Sequence, residues 1–473
     1  MLESFINLFR VPELKKRLIF TALLVMVYRL GAHIVVPGVD AKAVAEYFGS
    51  TYGGFLGVAN LFTGGAFKRL SIFSLGIMPY ISASIILQLL TAVIPALEKL
   101  SKEGEEGRKK INQYTRYGTV ILSIIQAFGL SMWMQNMGRY QGSGIPVVPQ
   151  PGIGFQLMTV LTLTAGTTFI MWLGEQITER GIGNGISLII FIGIVAAVPQ
   201  GVIEIVTAMR SESMTLFTLL MILIATFVVV ALVVIVQQGK RKIPVSYAKQ
   251  VRGRKMFGGQ NTFLPLKVDY SGIIAVIFAS SILMFPQTLA QFFSGGIADT
   301  FLGKVSAFLD KNSPYNIHAL FLWIFPGFPD NPPLTIFKIF NFYNLLFAAL
   351  VIFFCYFYTA IAFNPKDISE NLKKFGGFIP GRRPGANTAE FIERVMIRLT
   401  LAGSIFVVFI CVFPDILSEL IGRIPSTVDY LLGGTSLLIV VGVALDTLSQ
   451  LESHMVERHY SGFLKKGKLR ARR

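Results

Sequence analysis

The sequence predicts an all-α polytopic membrane protein, with ten transmembrane helices in two pseudo-symmetric inverted halves of five. Three observations predict it. Apolar residues make up 53% of the 473 and charged residues only 15%, against about 25% charged in an ordinary soluble domain, so too little charge exists to coat several globules. Ten runs are long and apolar enough to cross a hydrocarbon core of about 30 Å, which takes roughly 20 helical residues. Lysine and arginine alternate between the two sets of connecting loops, with 32 on one side and 9 on the other. An overlooked span would swap every later loop and erase that excess, so the basic side, carrying both termini, is expected to be cytoplasmic.

In chain order, Met1 to Arg17 mixes Arg10, Lys15, Lys16 and Arg17 with apolar residues, as an interface anchor does, and carries no evident cleavage site. The ten runs then fall near 18–37, 71–96, 117–137, 155–173, 186–203, 214–236, 270–293, 342–363, 395–413 and 431–449. The first carries Arg29 and His33, and the ninth has Arg398 within a turn of its end; snorkelling is expected for both arginines. Phe55 to Phe67, FLGVANLFTGGAF, is uncharged but only 13 residues long, too short to cross, and is expected to lie on the membrane or re-enter it. Ile317 to Phe328 is also short and precedes Pro329, Pro332 and Pro333, so it reads as an interfacial helix. Five spans per half make the second half enter from the opposite face, the topology of an inverted repeat. The division is expected at the external loop 204–213, giving halves 1–203 and 214–449 and a basic tail 450–473.

The span interiors lack the charge relays of ion-coupled transporters. Glu175, Asp269 and Asp446 fall at or near span ends, where a structural role is expected. Cys355 and Cys411 lie in apolar runs and read as small hydrophobes. His33, His318, His454 and His459 show no ligand spacing, so no metal site or other cofactor is expected. Polarity inside the spans is hydroxyl and amide: Ser82, Ser84, Gln88 and Thr91 in the second, Ser123 and Gln126 in the third, Ser280 and Ser281 in the seventh. Such residues join helices or line an openable seam, and Gln88 can reach Gln126 if their spans are neighbours. GIGNG (Gly181 to Gly185) lacks the spacing and preceding strand of a phosphate loop and reads as a flexible tight turn.

Two loops on the basic side stand out, in the excursions 237–269 and 364–394. Residues 237–268 hold eight basic side chains and no acidic one, and residues 371–385 hold four and none. Attraction to anionic lipid explains charges packed at span ends, but Lys249, Arg252, Arg254, Lys255, Arg382 and Arg383 lie mid-loop among glycine and proline, as a docking site for an acidic protein or ribosomal RNA requires.

The stretches GIMPYISASIILQLL (Gly76 to Leu90), QYTRYG (Gln113 to Gly118), MWLGEQITERGIGNGIS (Met171 to Ser187), LPLKV (Leu264 to Val268), NLKKFGGFIPGRRPG (Asn371 to Gly385) and GGTSLLIVV (Gly433 to Val441) closely resemble the SecY family of protein-conducting channels, in the family's order and across essentially the whole chain. The resemblance implies two five-helix halves around a central hourglass pore, hinged between the fifth and sixth spans. It implies a constriction ring of Ile77, Ile81, Ile186, Ile190, Ile277 and Ile439, and a plug over 55–67 including Phe55, Leu61, Phe62, Gly64 and Gly65, with Gly53, Gly54, Gly64 and Gly65 as possible hinges. A lateral gate between spans 2 and 3 and spans 7 and 8 would lie near Gln88, Gln126, Ser280 and Ser281. The basic loops would dock the SecA motor or a ribosome, with Arg383 as the key arginine, and the small subunits SecE and SecG, signal peptides and membrane lipids are the further implied partners. PVSYAK (Pro244 to Lys249) departs slightly from the family's usual reading, and 294–341 matches no motif. The expected function is a passive channel for unfolded secreted chains in the bacterial inner membrane, with no chemistry of its own, releasing apolar segments sideways into lipid. A secondary transporter and a scaffold that only anchors a partner are the rival readings.

Overall fold

The computed structural model describes residues 12–50, 54–137, 146–212, 214–247, 250–252, 255–257, 262–292, 342–421, 428 and 433–466. All ten predicted runs overlap helices, although the first helix ends at Gly31 and residues 32–37 of that run are not helical. In order these are α1 (Pro12–Gly31), α4 (Met78–Val93), α6 (Glu105–Asn136), α7 (Ile153–Arg180), α8 (Gly185–Val195) continued by α9 (Val198–Arg210), α10 (Leu216–Gln238), α11 (Gly272–Phe292), α12 (Phe342–Ala362), α14 (Ala386–Ile421) and α15 (Gly434–Lys466); they are called spans 1 to 10 below. Between them lie α2 (Ala41–Ser50), α3 (Gly54–Phe62), α5 (Pro95–Lys102) and α13 (Pro365–Lys374). Among the described residues, seven helical stretches are long and apolar enough to cross a membrane, and the bent pair α4 and α5 makes an eighth if it counts as one span. Span 1 is diluted by Lys15, Lys16, Arg17 and Arg29, and span 7 is a shorter apolar helix.

Local chemistry sets several boundaries. The second run was expected to be helical from residue 71, but 71–77 forms turns, because Gly76 takes φ 56° and Pro79 opens the helix in its first turn. At its other end Ile94 is extended ahead of Pro95, and the chain bends by 100° into α5. Span 5 is interrupted at Ala196 and Ala197, just before Pro199. The predicted loop 204–213 is mostly helix, since α9 runs to Arg210 and leaves a short connection to Leu216. The GIGNG turn is tight but tied rather than flexible. The Asn184 side chain accepts from the N–H groups of Ile186 and Ser187, Thr178 Oγ1 from Gly185 N–H, and Thr21 Oγ1 from Ile182 N–H.

Packing follows a repeat. Span 1 packs on spans 4 and 5, span 2 on 3, 3 on 4, and 4 on 5; each pair recurs five spans later as 6 on 9 and 10, 7 on 8, 8 on 9, and 9 on 10. Across the two sets, span 7 meets spans 2 and 3, and span 10 meets span 5. The largest apolar cluster lies where these sets meet.

No strand was anticipated on the basic side, yet two sheets form there. Strand β1 (Lys240–Tyr247) pairs antiparallel with β4 (Thr262–Lys267) and with β5 (Gly377–Phe378), in the order β4-β1-β5; β2 (Gln250–Arg252) and β3 (Lys255–Phe257) make a small hairpin. Ile243, Val245 and Leu266 alternate inward from this sheet onto Phe363, Ile379, Ile392 and Met396, a separate small core. With so many basic residues interleaved, the period-two pattern is short and easily missed.

Candidate functional site

Six isoleucines from four spans share one apolar cluster. Ile77, Ile81, Ile190, Ile277 and Ile439 are buried in the central cluster and Ile186 packs against it half-buried. Ile77 and Ile81 stand one turn apart at the start of span 2, Ile186 and Ile190 one turn apart at the start of span 5, so each pair presents one face. Leu61 and Phe62, from the end of α3, belong to the same cluster. Phe278, Leu283, Met284 and Phe347 also join it, and nothing in their spacing distinguished them from lipid-facing residues.

The seat of α3 is built mostly from backbone. Gly64 (φ 64°) and Gly65 (φ 85°) end the helix in a left-handed turn, with Gly65 N–H donating to Asn60 O at 2.9 Å and Gly64 N–H to Leu61 O at 3.1 Å. In this structure both glycines belong to the turn that ends the helix. Gly53 and the side chain of Phe55 lie outside the described residues. Gly193 of span 5 brings bare backbone against this turn, and a Cβ added there would lie 3.2 Å from Gly64 N and 3.3 Å from Phe62 O. Gly193→Val is expected to lift the short helix from its seat, read as faster proteolysis or thiol labelling within 54–65; unchanged protection would count against the seat. From span 1, Tyr28 Oη donates to Thr63 O at 3.1 Å and Arg29 Nη1 to Gly64 O at 2.8 Å. Arg29 thus ends on a main-chain carbonyl of the turn that follows α3.

Where α3 approaches the line of spans 2, 3 and 7, a cavity of about 40 Å³ is lined by Thr63, Ser74, Ser82, Gln126, Ser281 and Thr288 together with apolar side chains. Its volume would admit roughly two or three waters. Gln126, Ser280 and Ser281 are buried, and both serine hydroxyls bond back to their own helix, at Val276 O and Ile277 O. Gln88 lies a turn beyond and donates to Ser84 Oγ at 3.2 Å, along its own helix rather than across to span 3. Near the basic side, Arg116 of span 3 and Glu175 of span 4 form an ion pair at 2.7 Å that joins two of the family-like motifs. Half-exposed, it is worth at most about 1 kcal/mol.

The two basic loops, distant in sequence, are brought together by β1, which carries one and pairs with the strand opening the other. Arg252 and Lys255 pair in register at the end of the β2–β3 hairpin; their side chains, and Lys249 and Arg254 altogether, lie outside the described residues. Arg382 and Arg383 are exposed in a turn held from below: Ser369 Oγ donates to Gly385 O at 2.7 Å, Thr388 Oγ1 to Arg383 O at 2.8 Å, and the Arg382 guanidinium sits 5.0 Å from the Phe391 ring centre. Ile317 to Phe328 and the rest of 294–341 lie outside the described residues.

Two sets of membrane helices meeting through one apolar cluster, with a short helix seated against it, define a multi-pass helical membrane protein. The model of the SecY family matches residues 71–448. Protein translocase subunit SecY of Escherichia coli strain K12 is 45% identical over 97% of this chain and 95% of its own length. Two solved structures share the fold. A SecY channel whose plug domain is described as stabilising the closed state and maintaining a membrane seal has a TM-score of 0.62 at 18% identity, over 96% of this chain and 94% of that one. Sec61 in a canine ribosome-channel complex from the endoplasmic reticulum has a TM-score of 0.62 at 17% identity, with the same coverage. The chain belongs to the SecY family.

Proposed function

We propose that the chain is the passive protein-conducting pore of a general secretory translocase in the bacterial inner membrane, with both termini cytoplasmic. Unfolded preproteins pass between the halves 1–203 and 214–449, and apolar segments leave sideways between spans 2 and 3 and spans 7 and 8, past Gln88, Gln126, Ser280 and Ser281. The observation that carries this reading is the single apolar cluster in which isoleucines of spans 2, 5, 7 and 10 meet the end of α3. Branched aliphatic side chains offer water and hydrated ions no hydrogen bond, so a narrow waist made of them stays dry at rest yet yields to a passing chain. Helix α3 and the turn after it act as the stopper.

The exposed turn of Arg382 and Arg383 and the β2–β3 hairpin of the other basic loop form the docking surface for a motor ATPase such as SecA or for a translating ribosome, acidic partners both. Small helical subunits of the SecE and SecG type cover part of the exposed apolar helix faces. Signal peptides, themselves apolar helices, enter the seam.

Reconstitution of the full chain with a partner ATPase tests this reading. ATP-dependent uptake of an unfolded preprotein into vesicles is the expected result. Ion-driven accumulation of a small solute would favour a secondary transporter instead, and binding of the partner without any passage would favour a scaffold.

A further inference from the structure

Span 1 does more than pack. Its consecutive residues Tyr28 and Arg29 donate to the consecutive carbonyls of Thr63 and Gly64, at 3.1 and 2.8 Å. Those carbonyls lie in the turn just after the C-terminal end of α3, where partial negative charge collects, and the Thr63 carbonyl also accepts from Ala66 N–H at 3.3 Å. The approach is close on every side, for a Cβ added at Gly64 would come within 2.9 Å of both Arg29 Nη1 and the Gly193 Cα. Tyr28 is 1% exposed, and its ring stacks near Phe73 with centres 6.0 Å apart, so its hydroxyl is aimed by packing. Among the described residues Arg29 forms no ion pair with a carboxylate; its bond is to a neutral carbonyl.

Three features make this a releasable contact. An arginine in a membrane span is retained only when it has work to do. A neutral acceptor leaves no stranded counter-charge when the bond breaks, and the guanidinium can then be hydrated by an opened funnel. Both donors sit near the end of span 1, which packs mainly on spans 4 and 5 and shares an apolar cluster with span 10 only at its start, through Leu14 and Leu18.

We infer that Tyr28 and Arg29 are a clasp that holds the short helix on the first half of the molecule, so that parting spans 2 and 3 from span 7 does not by itself release it. The clasp rests on the proposed role of α3 as stopper and identifies the residues that position it. Release then requires a second event, in which the incoming chain displaces the Thr63 and Gly64 carbonyls from their donors.

The test is resting ion conductance of the full chain, purified with the subunits that accompany it and reconstituted in planar bilayers. Arg29→Met is expected to raise the leak about tenfold, the effect of one lost charged hydrogen bond on a two-state equilibrium. Arg29→Lys, which keeps a charged donor, is expected to recover most of the seal. Tyr28→Phe, which removes a single hydroxyl and preserves packing, is expected to give a smaller rise and serves if Arg29→Met fails to fold. Deletion of 54–62 is expected to leak by itself, and adding Arg29→Met to it is expected to change nothing further. A leaking deletion alongside a sealed Arg29→Met and Tyr28→Phe would overturn the clasp. So would an equal added leak from Arg29→Met in the deletion, which would mark a general defect of span 1. A deletion that does not leak would instead strike down the stopper reading, and the clasp with it.

Discussion

Replacing Ile81, Ile190 and Ile439 together by asparagine is expected to raise resting ion leak by at least an order of magnitude. These side chains come from three different spans and are all but fully buried in one cluster. Burying one such aliphatic side chain is worth about 1.5–3 kcal/mol over leaving it in water. An amide in its place both forfeits that preference and offers hydrogen bonds to entering water. Since about 1.4 kcal/mol corresponds to a tenfold change in an equilibrium, three substitutions far exceed what a tenfold rise requires. Glycine at the same positions is expected to act in the same direction by opening voids. Conductance in planar bilayers measures the effect, with a lipid-facing triple such as Leu220, Leu223 and Phe227 of span 6, all exposed, as the control. Equal leak from both triples, or none from the first, would remove the constriction assignment.

Arg383→Glu is expected to abolish most motor-driven transport while leaving the fold intact. The turn is built from backbone bonds to Ser369 and Thr388, so the exposed Arg383 side chain can be reversed in charge without removing any of them. Against an acidic partner, like charges in contact cost several kcal/mol and slow encounter. Preprotein uptake with a partner ATPase is expected to fall at least about tenfold, with unchanged protein yield and thermal stability. Uptake at the normal rate would show that the partner docks elsewhere.

The positions of all ten helical runs were legible because a membrane span announces itself by length and hydropathy alone. Their ends were not, since Gly76, Pro79, Pro95 and Pro199 act through backbone geometry that hydropathy averages away. The six isoleucines were singled out only through family-like motifs; by composition they match dozens of neighbours. Arg29 offered a fair signal, a charge inside an apolar run, but its partner was a main-chain carbonyl that no side-chain pattern could reveal. Gly193 gave none, because its part is to be absent at Cβ. The strands of the basic loops were hidden by the charge that made those loops conspicuous.

The sheet β4-β1-β5 has a mechanical corollary. Strand β1 begins two residues after span 6 ends, β4 runs into span 7 through only Val268 to Ser271, and β5 lies between spans 8 and 9. That linker is stiffened by Asp269, whose carboxylate accepts from Gly272 N–H at 2.8 Å and from Ser271 Oγ at 3.0 Å. A pull exerted on either loop is therefore shared by both and delivered, with little slack, to the base of span 7, which makes the main contacts with spans 2 and 3 from across the divide.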